Sequence, residues 1–205
     1  MRKIFPIFVL FVSVCFFSCS KPGDYTVSRA MKEYQNQNYE EALALFKSAL
    51  EEESNYSKDL LYNFITSLYL QQEDYENAVI YQEKLCEINP QYRNLVSLGM
   101  NYHILKQDDK AIKTYQKAIE QNPKKGEAYA SLGALYLGQN DYEKARENLK
   151  KAAEFEPKIA LIHANLAVAY AHSGESEKSE EEFKIAEELK CENLDEFKAL
   201  AQNQN

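Results

Sequence analysis

The chain has 205 residues, 45% of them hydrophobic and 27% charged, with a formal net charge of −8. That length suits one domain or one short repeat array. The acidic balance, with no basic cluster, excludes a nucleic-acid binder and any attraction to anionic lipid through charge. Only six glycines and five prolines interrupt a composition rich in good helix formers.

The chain opens on Arg2 and Lys3, followed by an apolar stretch from Ile4 to Phe17 broken only by Pro6 and Ser13. This is the length of a signal-peptide core and falls short of the roughly 20 apolar residues of a spanning helix. The stretch ends in Phe16-Phe17-Ser18-Cys19-Ser20, which resembles a bacterial lipobox, with Phe16 where leucine is usual. The resemblance implies a lipoprotein signal over residues 1–18 and acylation of Cys19. Ordinary cleavage after Ser20 is the other reading these residues leave open. Loss of Arg2 and Lys3 with the leader takes the net charge to −10. Residues 19–23 read as a short tether.

A repeating pattern follows. Leu95, Leu98, Gly99 and Tyr102 precede Ala111, Tyr115 and Pro123, and Tyr129, Leu132, Gly133 and Tyr136 precede Ala145, Leu149 and Pro157. Weaker copies place Tyr62, Ile65, Thr66 and Tyr69 upstream and His163, Leu166, Ala167 and Tyr170 downstream. A degenerate first copy keeps Tyr39, Ala42, Phe46 and Ala49. The small residues Ala42, Ala78, Ala111, Ala145 and Ser179 are separated by 36, 33, 34 and 34 positions. Apolar residues three, four and seven apart share one helical face, so each copy reads as two amphipathic helices. Gly99 and Gly133 permit a close helix crossing, and the prolines punctuate the copies. One helix pair cannot bury its apolar face alone, whereas stacked copies can.

In order and spacing this pattern resembles the tetratricopeptide (TPR) repeat. The fold class expected is therefore all-α: a right-handed TPR superhelix, an α-solenoid of about five helix pairs plus a C-terminal capping helix. The array spans 24–191, with copies at about 24–56, 59–91, 92–125, 126–159 and 160–191. Residues 193–205 form the cap and tail. There Asn193 is placed to cap a helix whose Leu194, Phe197, Leu200 and Ala201 share a face.

No nucleophile motif or phosphate loop is present, so a non-catalytic protein with no cofactor and no metal is expected. His163 stands where the repeat packs an aromatic and reads as core. His103 and His172 face inward two copies apart, too far to share a metal. Cys86 and Cys191, three copies apart, read as small hydrophobes and not as a disulfide. Tyr69, Tyr102, Tyr136 and Tyr170 occupy one repeat position and are expected in the core, with their hydroxyls at its rim.

In the TPR family the first helix of each copy lines the concave surface. That resemblance assigns Leu60, Asn63, Ser67, Leu70, Arg93, Val96, Met100, His103, Ile104, Leu137, Val168 and His172 to a partner-binding groove. The Lys and Asn carboxylate clamp of chaperone-binding relatives is absent: the corresponding pairs are Asn63 with Ser67, Val96 with Met100, Ala130 with Ala134 and Ala164 with Val168. What remains is an apolar groove suited to a helix or extended peptide, unless a terminal helix folds in and hides it.

The function expected is a protein-binding adaptor, lipid-anchored at a bacterial membrane and facing the periplasm. It is similar to small TPR lipoproteins that serve envelope assembly. An accessory subunit of a periplasmic solute transporter and a surface-exposed antigen or adhesin are the alternatives.

Overall fold

The computed structural model describes residues 20–203; the leader, Cys19 and the last two residues lie outside the described residues. The described part contains eleven α-helices and no strand. It falls into two compact units divided between Ser57 and Lys58.

The first unit is the pair α1 (Pro22–Gln35) and α2 (Tyr39–Ala49). Val27 and Ala30 of α1 and Ala42, Phe46 and Ala49 of α2 are essentially inaccessible. Pro22 is the first helical residue, where its missing N–H costs nothing. The Gly23 N–H donates to the Glu53 carbonyl at 3.0 Å, and a Cβ on Gly23 would lie 2.9 Å from the Ser54 Cβ. The Asp24 carboxylate accepts from the Lys21 N–H (3.0 Å), Ser54 Oγ (2.8 Å), the Asn55 N–H and Asn55 Nδ2 (both 2.6 Å). The backbone N–H of Asn55, then that of Lys21, hold the Asp24 pKa down at about 2. The sequence suggested a tether over 19–23; instead Pro22 and Gly23 form the first turn of α1, clipped to the segment after α2.

The second unit stacks four pairs: α3 (Lys58–Gln71) with α4 (Tyr75–Ile88), α5 (Tyr92–Ile104) with α6 (Asp108–Gln121), α7 (Gly126–Gly138) with α8 (Tyr142–Phe155), and α9 (Ala160–His172) with α10 (Ser176–Glu188). A last helix, α11 (Leu194–Gln202), follows. The stack is stitched by one core that includes Leu95, Leu98, Tyr102, Tyr115, Leu132, Tyr136, Leu149, Leu166 and Tyr170. Gly99 and Gly133 mark the tightest crossings: a Cβ there would fall 2.6 Å from the Tyr115 ring and 2.4 Å from Leu149 Cγ, respectively. Each glycine thus makes room for the larger residue opposite, which compensates its low helix propensity.

One device recurs at the end of each first helix. Gln37, Glu73, Lys106, Asn140 and Gly174 have φ of 64°, 57°, 59°, 59° and 76°. The next N–H reaches back to the carbonyl of Glu33, Tyr69, Tyr102, Tyr136 or Tyr170 at 2.8–2.9 Å, the bond of a Schellman closure. Only one of the five residues is glycine, so the other four hold a left-handed conformation that costs an L-residue about 1–2 kcal/mol.

Within the second unit α5 touches α7 and α7 touches α9, whereas the even-numbered helices α4, α6, α8 and α10 do not touch one another. Helices that crowd on one side and diverge on the other curve the stack, with α5, α7 and α9 on its inner side.

The last helix departs from expectation. Asn193 is left-handed (φ 56°) and its side chain caps nothing. At 100° per residue Leu194, Phe197 and Ala201 fall within about 60° of arc, and Leu200 lies about 60° further round. Accordingly Leu194 and Phe197 are half-buried, Ala201 is buried and Leu200 is 54% exposed. α11 packs mainly on α9 and only lightly on α10.

Candidate protein-binding face

The inner helices differ from the outer ones in charge. α5 carries Arg93, α7 carries Glu127, and α9 carries no Asp, Glu, Lys or Arg. The outer helices are dense in both signs, as in α8 with Glu143, Lys144, Arg146, Glu147, Lys150, Lys151 and Glu154. An outer helix of that kind is a solvated face. An inner helix so poor in charge has to be covered by its neighbours or by a partner.

Packing against neighbours accounts for part of the expected groove. Val96 is 1% exposed and belongs to the core, so it is removed from the free surface. Its repeat position points toward the adjacent inner helix: Ala164, the same position on α9, is fully buried, and Ala130 on α7 is half-buried. Asn63 stays exposed on α3, which has no inner-helix contact with α5. Val168 is also removed, at 5% exposed. Its counterparts Ser67, Met100 and Ala134 are all exposed. α9 differs from the other inner helices in carrying α11.

His172 is held and not free. Its ring stacks on Tyr142, centroids 4.2 Å apart and 4° from parallel, and Nε2 donates to the Leu200 carbonyl at 3.0 Å. The side chain therefore ties α11 to α9, with its ring resting on Tyr142 of α8. His103 Nδ1 sits 2.7 Å from the Asp108 carboxylate, across the turn between α5 and α6. His163 fills the core as its position suggested, 5% exposed, with Nδ1 2.6 Å from Glu182 and Nε2 3.0 Å from the Pro157 carbonyl. Among the described residues no group of three or more His, Cys, Asp or Glu side chains is placed to hold a metal ion. Cys86 and Cys191 are free thiols.

What stays open is centred on α5 and α7. Met100 and Ile104, one helical turn apart, are 50% and 46% exposed. Neighbouring α7 offers the small exposed residues Ala134 and Gly138, and a Cβ at Gly138 would meet nothing within 4 Å. Leu60, Leu70 and Leu137 are half-buried, while Asn63, Ser67 and Arg93 are exposed. Leu161, at the start of α9, is 52% exposed. Methionine and isoleucine beside small residues make a surface of adaptable knobs over shallow hollows, apolar and nearly uncharged. The outer helices also expose Ile80 and Ile88, but among charged neighbours.

The expected core tyrosines Tyr69, Tyr102, Tyr136 and Tyr170 are each under 10% exposed. A second pattern accompanies them. Lys110, Lys144 and Lys178 place their ammonium groups 5.0, 5.3 and 5.3 Å from the ring centres of Tyr102, Tyr136 and Tyr170. Each lysine stands eight residues after its tyrosine, a regularity visible in the sequence. Lys144 also meets Asp141 at 2.5 Å and Lys178 meets Glu175, so these two cations lie over a buried ring with their charge paired. The Tyr102 hydroxyl donates to Glu83; burial, and then this carboxylate, push its pKa up.

Models of the tetratricopeptide repeat match residues 61–92, 92–158 and 132–190. No curated protein matches the sequence. Among solved structures, one described as MamA protein is 19% identical, covers 82% of this chain and 91% of its own, and superposes with a TM-score of 0.72. MamA from Desulfovibrio magneticus RS-1 is 21% identical over 82% of this chain and 94% of its own, with a TM-score of 0.70. YrrB, described as a TPR protein with an unusual peptide-binding site, is 24% identical over 86% and 88%, with a TM-score of 0.67. At these identities the likeness shows the fold, which is one on which protein-interaction scaffolds are built. The repeat matches run without a gap from 61 to 190, more than half of the sequence, and the chain belongs to the tetratricopeptide-repeat family.

Proposed function

We propose that this protein is a non-catalytic adaptor, anchored by acylated Cys19 in a bacterial cell envelope and facing the periplasm. It takes an apolar helix or peptide of an envelope partner against the inner face of α5 and α7. The observation that carries the binding reading is the near absence of charge on three successive inner helices, with Met100 and Ile104 half exposed among small neighbours. Apolar side chains left open on a face that packing does not cover are ready to be desolvated by a partner, and a few such anchors carry most of the affinity. YrrB, described as having a peptide-binding site, supports a peptide ligand by similarity of fold.

The anchor reading rests on Ser18-Cys19 at the end of the apolar leader. Among the described residues no helix is long and apolar enough to cross a membrane. Several acyl chains, at about 0.8 kcal/mol per buried CH₂, hold a protein of this size on a bilayer.

Two measurements test the two halves. Mass spectrometry of the mature amino terminus finds acylated Cys19 if the anchor is correct; an unmodified terminus at Lys21 removes it. Capture from detergent-solubilised envelopes, with wild type beside Met100→Glu/Ile104→Glu, tests the face. The double variant should keep its helicity and lose the partner that wild type retains. Retention of that partner by the folded variant removes the α5–α7 site.

A further inference from the structure

We infer that the first turn of α1 lies in the headgroup layer of the bilayer that carries the anchor, with Tyr25 and Lys21 as its interfacial contacts. This rests on the anchor reading above. Only Ser20 and Lys21 separate Cys19 from Pro22, the first residue of α1. Extended chain spans at most about 3.3–3.6 Å per residue, so α1 begins within roughly 10 Å of the acylated residue. The helix cannot unwind cheaply to lengthen that reach. Its first turn is held by the Gly23–Glu53 bond and by the bonds converging on Asp24 from Lys21, Ser54 and Asn55. Gly23 fits because it has no side chain to strike Ser54.

The side chains at this end suit an interface. Tyr25 is 69% exposed, the most exposed large aromatic among the described residues, and stands one residue beyond the clip. A tyrosine ring with its hydroxyl outward is at home at headgroup depth, and a lysine stem lies along the same layer with its ammonium in water. The Asp24 carboxylate sits in this clip and the Glu52 carboxylate accepts from Thr26 beside it, so the surface they fit is zwitterionic phospholipid and not a strongly anionic one.

The chain contains no tryptophan, so Tyr25→Trp creates a single fluorescent reporter. The full lipidated variant is incorporated into phosphatidylcholine vesicles bearing a shallow spin-labelled lipid. Ile159→Trp, at an exposed loop position of the second unit, is the comparator. The expected result is a blue-shifted Tyr25→Trp emission, most of it lost to the lipid label and little to aqueous iodide, with Ile159→Trp the reverse. Insertion of ten Gly/Ser residues after Ser20 should abolish the lipid quenching while the protein still floats with the vesicles. Iodide quenching of vesicle-bound Tyr25→Trp equal to that of Ile159→Trp overturns the inference while leaving the anchor intact. Failure of the protein to float overturns both.

Discussion

Adding one methyl group at either of two glycines of α7 should change stability in opposite directions. A Cβ on Gly133 would stand 2.4 Å from Leu149 Cγ, 2.8 Å from Cδ2 and 3.2 Å from Cδ1, against an ordinary carbon contact of about 3.5–4.0 Å. Cγ is the branch point of a fully buried leucine, so neither a rotamer change nor solvent offers an escape. Overpacking of this kind costs about 1–3 kcal/mol, and the geometry places it at the upper end. Alanine returns up to about 1 kcal/mol of helix propensity, which leaves Gly133→Ala destabilised by about 2 kcal/mol. At Gly138 a Cβ meets nothing within 4 Å, so Gly138→Ala should stabilise by about 0.4–1 kcal/mol. Urea unfolding followed by circular dichroism reads both. The double variant Gly133→Ala/Leu149→Ala should lose less than the sum of its two single changes, because the methyl then occupies space the leucine vacated. Equal stabilisation by the two alanines would refute the close-crossing account of α7 and α8.

The left-handed turn residue Lys106 carries strain that glycine relieves, so Lys106→Gly should raise the unfolding free energy by about 0.5–1 kcal/mol; a fall would mean that the side chain contributes more than the strain. Asp24 titrates lower in the folded than in the unfolded chain, so its contribution is present above about pH 4 and lost as pH falls toward about 2. Over that window thermal unfolding of wild type should steepen its fall relative to Asp24→Asn; parallel curves would show that the clip adds nothing. Burial pushes the Cys86 thiol up to about 11, so iodoacetamide should label it slowly at neutral pH and faster as pH rises, with fast labelling at pH 7 contradicting its half-buried place on α4.

The repeat itself was legible because stacking forces one set of side chains to recur. The close crossings at Gly99 and Gly133 and the four buried tyrosines follow from the spacing, whereas Tyr115 and Leu149 as the residues opposite the glycines come from the structure. The helix closures are silent in the sequence because the usual signal is glycine, and only Gly174 supplies it; Schellman bonds to the tyrosine carbonyls hold Glu73, Lys106 and Asn140 in the same conformation without it. The lysines over the tyrosines are equally regular, each eight residues after its tyrosine. At the start of α1, Pro22 and Gly23 read as a linker because both break helices; here one fits a first helical position and the other a close approach. The groove was the least legible part. A repeat register says which way a residue points, and not whether a neighbour covers it. Packing buries Val96 and Val168, and α11, seated on α9, ties down His172 through the Leu200 carbonyl.

If a partner is held on the inner face of α5 and α7, site-specific photocrosslinking in intact cells will catch it there. A photoreactive amino acid at Ile104 is set beside one at Ile88 on outer helix α4, since the two side chains are 46% and 54% exposed and differ chiefly in the face they occupy. The expected result is a defined covalent adduct with one partner from position 104, abolished by Met100→Glu, and none from position 88. An adduct from position 88 with none from position 104 would contradict it.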